Sequence, residues 1–258
     1  MPLGSFRILK TIFLSALMLS AATLANEGDN LQRKIFLQAD KQVWNSSSAT
    51  YQNLYNQLHY YPLQPYLDQK RLMTKIKLSS APQINDFLTK YEGTPLDWPL
   101  RQKWLVYLAK RQQSVLFQRF FKATSNVELT CQYYRFQLQS GVSPTIILPK
   151  VSSLWIVGKS QPKVCDPLFQ QWQQAGYRTN DAIWQRIVLS ADGGKHTLIP
   201  YLTMLLPESE QYLAHLWHKV RRNPSYTARL SKFKNKTARE AEIVAYGLKR
   251  LIWRSPKQ

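Results

Sequence analysis

Residues 154–176 read Leu-Trp-Ile-Val-Gly-Lys-Ser-Gln-Pro-Lys-Val-Cys-Asp-Pro-Leu-Phe-Gln-Gln-Trp-Gln-Gln-Ala-Gly. An apolar segment runs into Gly158, a polar turn carries Pro162, and a second amphipathic segment carries Leu168, Phe169 and Trp172. Glycine closing one segment and proline preceding the next are the stop and start signals of successive helices. This stretch therefore predicts a helix, a turn and a helix.

The same pattern extends in both directions. Apolar residues recur at helical spacing, and no sustained period-two alternation marks a strand. Glycine is scarce (9 residues) and falls at segment ends, at Gly93, Gly141, Gly158, Gly176, Gly193 and Gly194. The spacing predicts helices over Leu31–Trp44, Ala49–Leu58, Leu63–Thr74, Ala81–Tyr91, Leu100–Lys110, Gln112–Lys122 and Val127–Ser140. It continues with Pro144–Val157, Cys165–Ala175, Asp181–Ala191, Leu198–Leu205, Glu208–Arg222, Tyr226–Lys234 and Ala238–Trp253, the last opened by a capping box at Thr237-Ala238-Arg239-Glu240. Short helices joined by short turns form antiparallel hairpins, so the expected fold class is all-α, an α-solenoid of helical hairpins rather than a bundle. No clean 34-residue consensus is present, so an ordinary tetratricopeptide array is not supported.

The first residues read as an export signal. Arg7 and Lys10 precede a mostly apolar stretch from Thr11 to Ala22, and Thr23-Leu24-Ala25 offers small residues for cleavage. That stretch is about a dozen residues, too short to span a bilayer as a mature helix. The expected division is 1–25 as signal peptide and 26–258 as the helical domain. Cys131 and Cys165 are the only cysteines. They could remain two buried thiols, but in an exported chain pairing is favoured. The chain carries 35 Lys and Arg against 15 Asp and Glu, net +20. Such a balance usually suggests nucleic acid. A periplasmic address argues against that partner and leaves anionic peptidoglycan or a membrane surface, with part of the excess a solvated helix face.

Gly158-Lys159-Ser160-Gln161-Pro162, followed by Cys165-Asp166 and Leu168-Phe169, closely resembles a segment of the soluble lytic murein transglycosylases. Tyr61-Pro62-Leu63-Gln64-Pro65-Tyr66-Leu67 is similar to the family's Tyr-Pro-Leu-x-Pro-Tyr-Leu, and Cys131-Gln132-Tyr133-Tyr134 to its Cys-x-Tyr-Tyr. The match runs from about Arg33 to Ile187 and thins beyond Gly193. All three motifs come from the family's N-terminal domain, so the resemblance implies irregular helical hairpins in a right-handed superhelix bent into a U, and it implies the Cys131–Cys165 pairing as well. The family cleaves peptidoglycan glycan strands between N-acetylmuramic acid and N-acetylglucosamine, leaving 1,6-anhydro ends.

The family's catalytic glutamate sits in Glu-Ser-x-Phe/Trp, followed by Gly-Leu-Met-Gln and Ala-Tyr-Asn-Ala-Gly blocks. Glu208-Ser209 is the only Glu-Ser here, and it follows Pro207 at a helix start, where carboxylates favour the helix dipole. No catalytic residue is expected, and the catalytic domain is absent from this sequence. His215 and His218 share a helix face at zinc-compatible spacing but lack a third ligand, while His59 and His196 stand alone. Neither a metal nor a cofactor is expected. Aromatics are abundant, with 8 Trp, 14 Tyr and 10 Phe. Tyr60 to Tyr66 forms the densest exposed-looking group, whereas Trp155, Trp172 and Trp184 lie on apolar stripes and are expected in the core.

At the other end, Glu240–Trp253 is strongly amphipathic, and Ser255-Pro256 has the form of a helix start. A truncated superhelix is expected, with its last helix as the weak end. The functional expectation is the scaffold portion of a periplasmic transglycosylase that meets peptidoglycan through its charge, with no nucleic acid and no stable membrane insertion. The alternative is a free-standing periplasmic helical-repeat adaptor docking a protein partner.

Overall fold

The computed structural model describes residues 30–254. The proposed signal peptide and Ser255-Pro256 lie outside them. Thirteen α-helices and several 3₁₀ turns account for the described residues, without a strand among them. No helix there is long and apolar enough to cross a membrane. The chain divides into two compact units, at Gln113 and Ser114.

The first unit holds α1 (30–42), α2 (Ala49–Asn56), α3 (Gln64–Thr74), α4 (Ala81–Lys90) and α5 (Asp97–Lys110). Ser48 caps α2 by accepting from the Tyr51 amide, and prolines open α3 and α4 where the missing N–H costs nothing. Ala39, Val43, Tyr51, Leu58 and Leu67 form one buried cluster. Helices α3, α4 and α5 pack on one another. Helix α5 starts at Asp97, ahead of the expected Leu100, because Pro99 falls in its first turn and is tolerated there. The early start places Asp97 one turn before Arg101, and the two form a buried fork with Nε–Oδ1 at 2.5 Å. A paired guanidinium and carboxylate can be buried where either alone could not.

The second unit holds α6 (Ser114–Phe120), α7 (Val127–Gln139), α8 (Pro144–Trp155), α9 (Asp166–Gln174), α10 (Asn180–Ala191), α11 (Ile199–Leu205), α12 (Glu208–Arg222) and α13 (Ala238–Arg254). Asn126, Ser143 and Thr179 cap α7, α8 and α10 with their side chains. Within α6–α9 and α10–α13, each helix packs on the next; α7 also meets α9, and α10 meets α12. This is hairpin stacking, as the periodicity predicts. The core runs from Leu148 and Val151 through Trp155, Trp172, Trp184 and Trp217 to Tyr246. Burying an aliphatic side chain such as Leu148 or Val151 contributes roughly 1.5–3 kcal/mol against leaving it in water.

Two expected helices change. Gln112–Lys122 is only α6, because Gln112 has φ 53°, a left-handed residue that ends one helix before Ser114 begins the next. Tyr226–Lys234 is not an α-helix but two 3₁₀ turns, Pro224–Ala228 and Leu230–Lys232. Asn223 accepts from the Ser225 amide and Thr227 donates to the Pro224 carbonyl, local bonds that compete with α-helical pairing. The capping box of α13 forms: the Glu240 amide donates to Thr237 Oγ1 and the Thr237 amide to Glu240 Oε2. Helix α13 buries Ile243 and Tyr246, while Leu248, Ile252 and Trp253 remain exposed.

Candidate functional site

The stretch after α8 borders a concavity in the second unit. Its backbone is fixed first. A Cβ on Gly158 would stand 2.3 Å from the Leu189 carbonyl oxygen, and one on Gly194 would stand 2.4 Å from the Gly158 carbonyl oxygen. The Lys195 amide donates to that Gly158 carbonyl at 2.7 Å. Glycine is thus required at 158 by space: the loop after α8 lies directly against the loop after α10. The Gln161 side-chain amide folds back to the Leu154 carbonyl at 2.6 Å and shapes the turn.

Cys165 ends that turn and is bonded to Cys131 on α7, with both cysteines fully buried. The bond ties the start of α9 to α7. Helix α9 then presents Trp172 to the core, its Nε1 donating to Ser152 Oγ at 3.0 Å, with its ring 5.1 Å from that of Trp155.

Between these elements lies a cleft of about 320 Å³, lined by Trp155, Gln161, Asp166, Phe169, Trp172, Arg178, Arg186 and Tyr201, among others. Arg186 on α10 is 7% exposed and stacks over the Trp155 ring at 4.4 Å. One Nη donates to the Lys159 carbonyl at 3.2 Å, while Nε is buried without a partner in the protein. Burial pushes the guanidinium below its ordinary pKa. Sequence reading gave Arg186 no role, since nothing local distinguishes it from other basic residues in a chain this basic. A lone Arg on the apolar stripe of Asp181–Ala191 was the available signal.

The residues singled out from sequence are dispersed. Glu208 and Glu210 lie in the first turn of α12, but neither caps it with a side-chain bond; Glu210 pairs with Arg239 of α13, which also holds Asp181 at 2.6 Å. His59 is exposed beside the Tyr60 ring at 4.5 Å. His215 and His196 are exposed, and His218, partly buried, feels both. Among the described residues no group of three or more His, Cys, Asp or Glu could hold a metal. Trp155, Trp172 and Trp184 are all buried. Tyr60 is 88% exposed, but Tyr61 packs on Phe36 in the core of the first unit.

Comparison with known proteins gives two answers. A family model described as Cucumovirus coat protein matches residues 118–226, less than half of the chain. The soluble lytic murein transglycosylase of Escherichia coli K12 is 27% identical over 187 residues, 72% of this chain and 29% of that protein. The protein of that name from Salmonella typhimurium is 27% identical over 67% of this chain. An inactive mutant of the lytic transglycosylase Slt from Pseudomonas aeruginosa superposes with TM-score 0.73 at 31% identity, covering 86% of this chain and 36% of that one. The chain is a homologue of part of the soluble lytic murein transglycosylases. A 70-kDa soluble lytic transglycosylase solved with bulgecin A shares the fold, with TM-score 0.66 at 22% identity. The chain spans about three tenths of the length of the curated transglycosylases it matches. These relatives share its helical architecture across most of its length, whereas the coat-protein match is confined to one stretch of the second unit.

Proposed function

We propose that this chain is the N-terminal scaffold portion of a periplasmic soluble lytic murein transglycosylase, placed on peptidoglycan by its basic surface. The observation that carries the reading is the superposition on Slt over 86% of this chain and only 36% of that one. In this reading Met1–Ala25 is an export signal and the residues after it form the helical scaffold. The buried cystine suits an oxidising compartment. Glycan cleavage needs a carboxylic acid placed to protonate the bridging oxygen. Glu210 is engaged with Arg239, and Glu208 sits on an exposed first turn, so neither is held as such an acid. The likeness to enzymes along most of the chain gives no support to a free-standing adaptor.

The chain alone, incubated with purified sacculi, is expected to release no 1,6-anhydromuropeptides above a buffer control. Release abolished by Glu208→Gln would overturn the scaffold assignment.

A further inference from the structure

We infer that the cleft between α8, α9 and α10 is a binding site for the terminal carboxylate of a peptide, held by Arg186 at its floor and Arg178 at its rim. The first ground is Arg186 itself. A guanidinium carries five N–H donors and no acceptor. Here one donor group meets the Lys159 carbonyl, Nε has no protein partner, and among the described residues no carboxylate lies within ion-pair distance. A buried cation without a counter-charge is costly to maintain, unlike the forked Asp97–Arg101 pair in the first unit.

The second ground is the shape around it. Trp155 supports one face of the guanidinium, and since Nε is itself buried, a carboxylate in the cleft would meet the Nη end of the fork. Arg178 lines the same cleft and, among the described residues, forms no ion pair, so two cations from different parts of the chain border one space. Asp166 also lines it, and it is exposed; the cleft keeps a net positive charge and Asp166 offers an acceptor for a peptide N–H. Phe169 and Tyr201 supply apolar walls for a small side chain. A volume of about 320 Å³ is at the small end of ligand sites and suits a chain end of about two residues. The glycine contact and the cystine hold these walls in place before any ligand arrives. Choosing a peptide end as the source of the carboxylate rests on the peptidoglycan reading, because that polymer carries peptides with free carboxylates.

The test is titration of the intact chain with N-acetyl-D-alanyl-D-alanine, its C-terminal amide and inorganic phosphate, read by tryptophan fluorescence and calorimetry. The acid is expected to bind at least about tenfold more tightly than the amide, the scale of a charge-assisted fork. Arg178→Gln, at the partly exposed rim, is expected to weaken the acid several-fold and leave the amide and the unfolding midpoint unchanged. Arg186→Lys should do the same to the acid, with the rim variant as the control for folding. Equal affinity for acid and amide, no binding of the acid, or phosphate binding as tightly as the acid would each overturn the assignment. A chain that pellets with sacculi yet does not distinguish acid from amide loses this site and keeps the scaffold reading; the converse result keeps the site and loses the polymer.

Discussion

Gly158 carries more of this fold than its size suggests. Any β-carbon there meets backbone of α10 rather than a side chain that could swing away. Gly158→Ala is therefore expected to destabilise the chain by about 1–3 kcal/mol, the usual cost of overpacking, measured as a lower urea midpoint. An unchanged midpoint would show that the two loops can part freely. His218 gives a second test at this scale. Burial first, then Arg222, Arg221, His196 and His215, lowers its pKa below the ordinary 6.5. The folded state thus favours the neutral ring, and the unfolded chain takes up the proton first as pH falls. Its contribution to stability is complete above 6.5 and is lost as pH drops through that value towards the lower folded one. His218→Gln should lose less stability than the parent between about pH 8 and about pH 5; parallel losses would contradict this. The sequence marks Gly158 as a helix end, which it is, but its contact with Gly194 joins two loops distant in the chain and leaves no local pattern. Arg186 was illegible for the same reason: its isolation depends on which side chains fail to reach it.

At the level of elements, the link from α7 to the start of α9 is covalent. Closing a loop of 34 residues stabilises by about 3–4 kcal/mol if the entropy of the unfolded chain dominates. The double replacement Cys131→Ser with Cys165→Ser should lower unfolding stability by that amount, and reductant should lower the parent likewise. Equal stability of oxidised and reduced protein would contradict it. Most helices were legible because each buries one stripe of a 3.6-residue repeat, as α9 does with Leu168 and Trp172. The failures have local causes. Pro224 and the short polar bonds around it compete with the α-helical ladder over 224–232, and the left-handed turn at Gln112 occurs at a residue type that gives no warning.

For the whole molecule, the dominant property is charge: net +20 on 258 residues, on a scaffold homologous to part of a murein-cleaving enzyme. Three short motifs made the likeness to the transglycosylases readable, and the helical class was readable because its apolar spacing repeats along the chain. They could not locate the cleft, which exists only once α8, α9 and α10 are assembled. The central claim is that this scaffold meets peptidoglycan through its basic surface. Its most direct test is sedimentation of the chain with purified sacculi across a salt series. Screening shortens the reach of exposed charges from about 10 Å at about 0.1 M salt to about 3 Å at about 1 M. The chain is expected to pellet with sacculi at low salt and to return to the supernatant at high salt. A chain that stays in the supernatant throughout, or stays bound throughout, would contradict the claim.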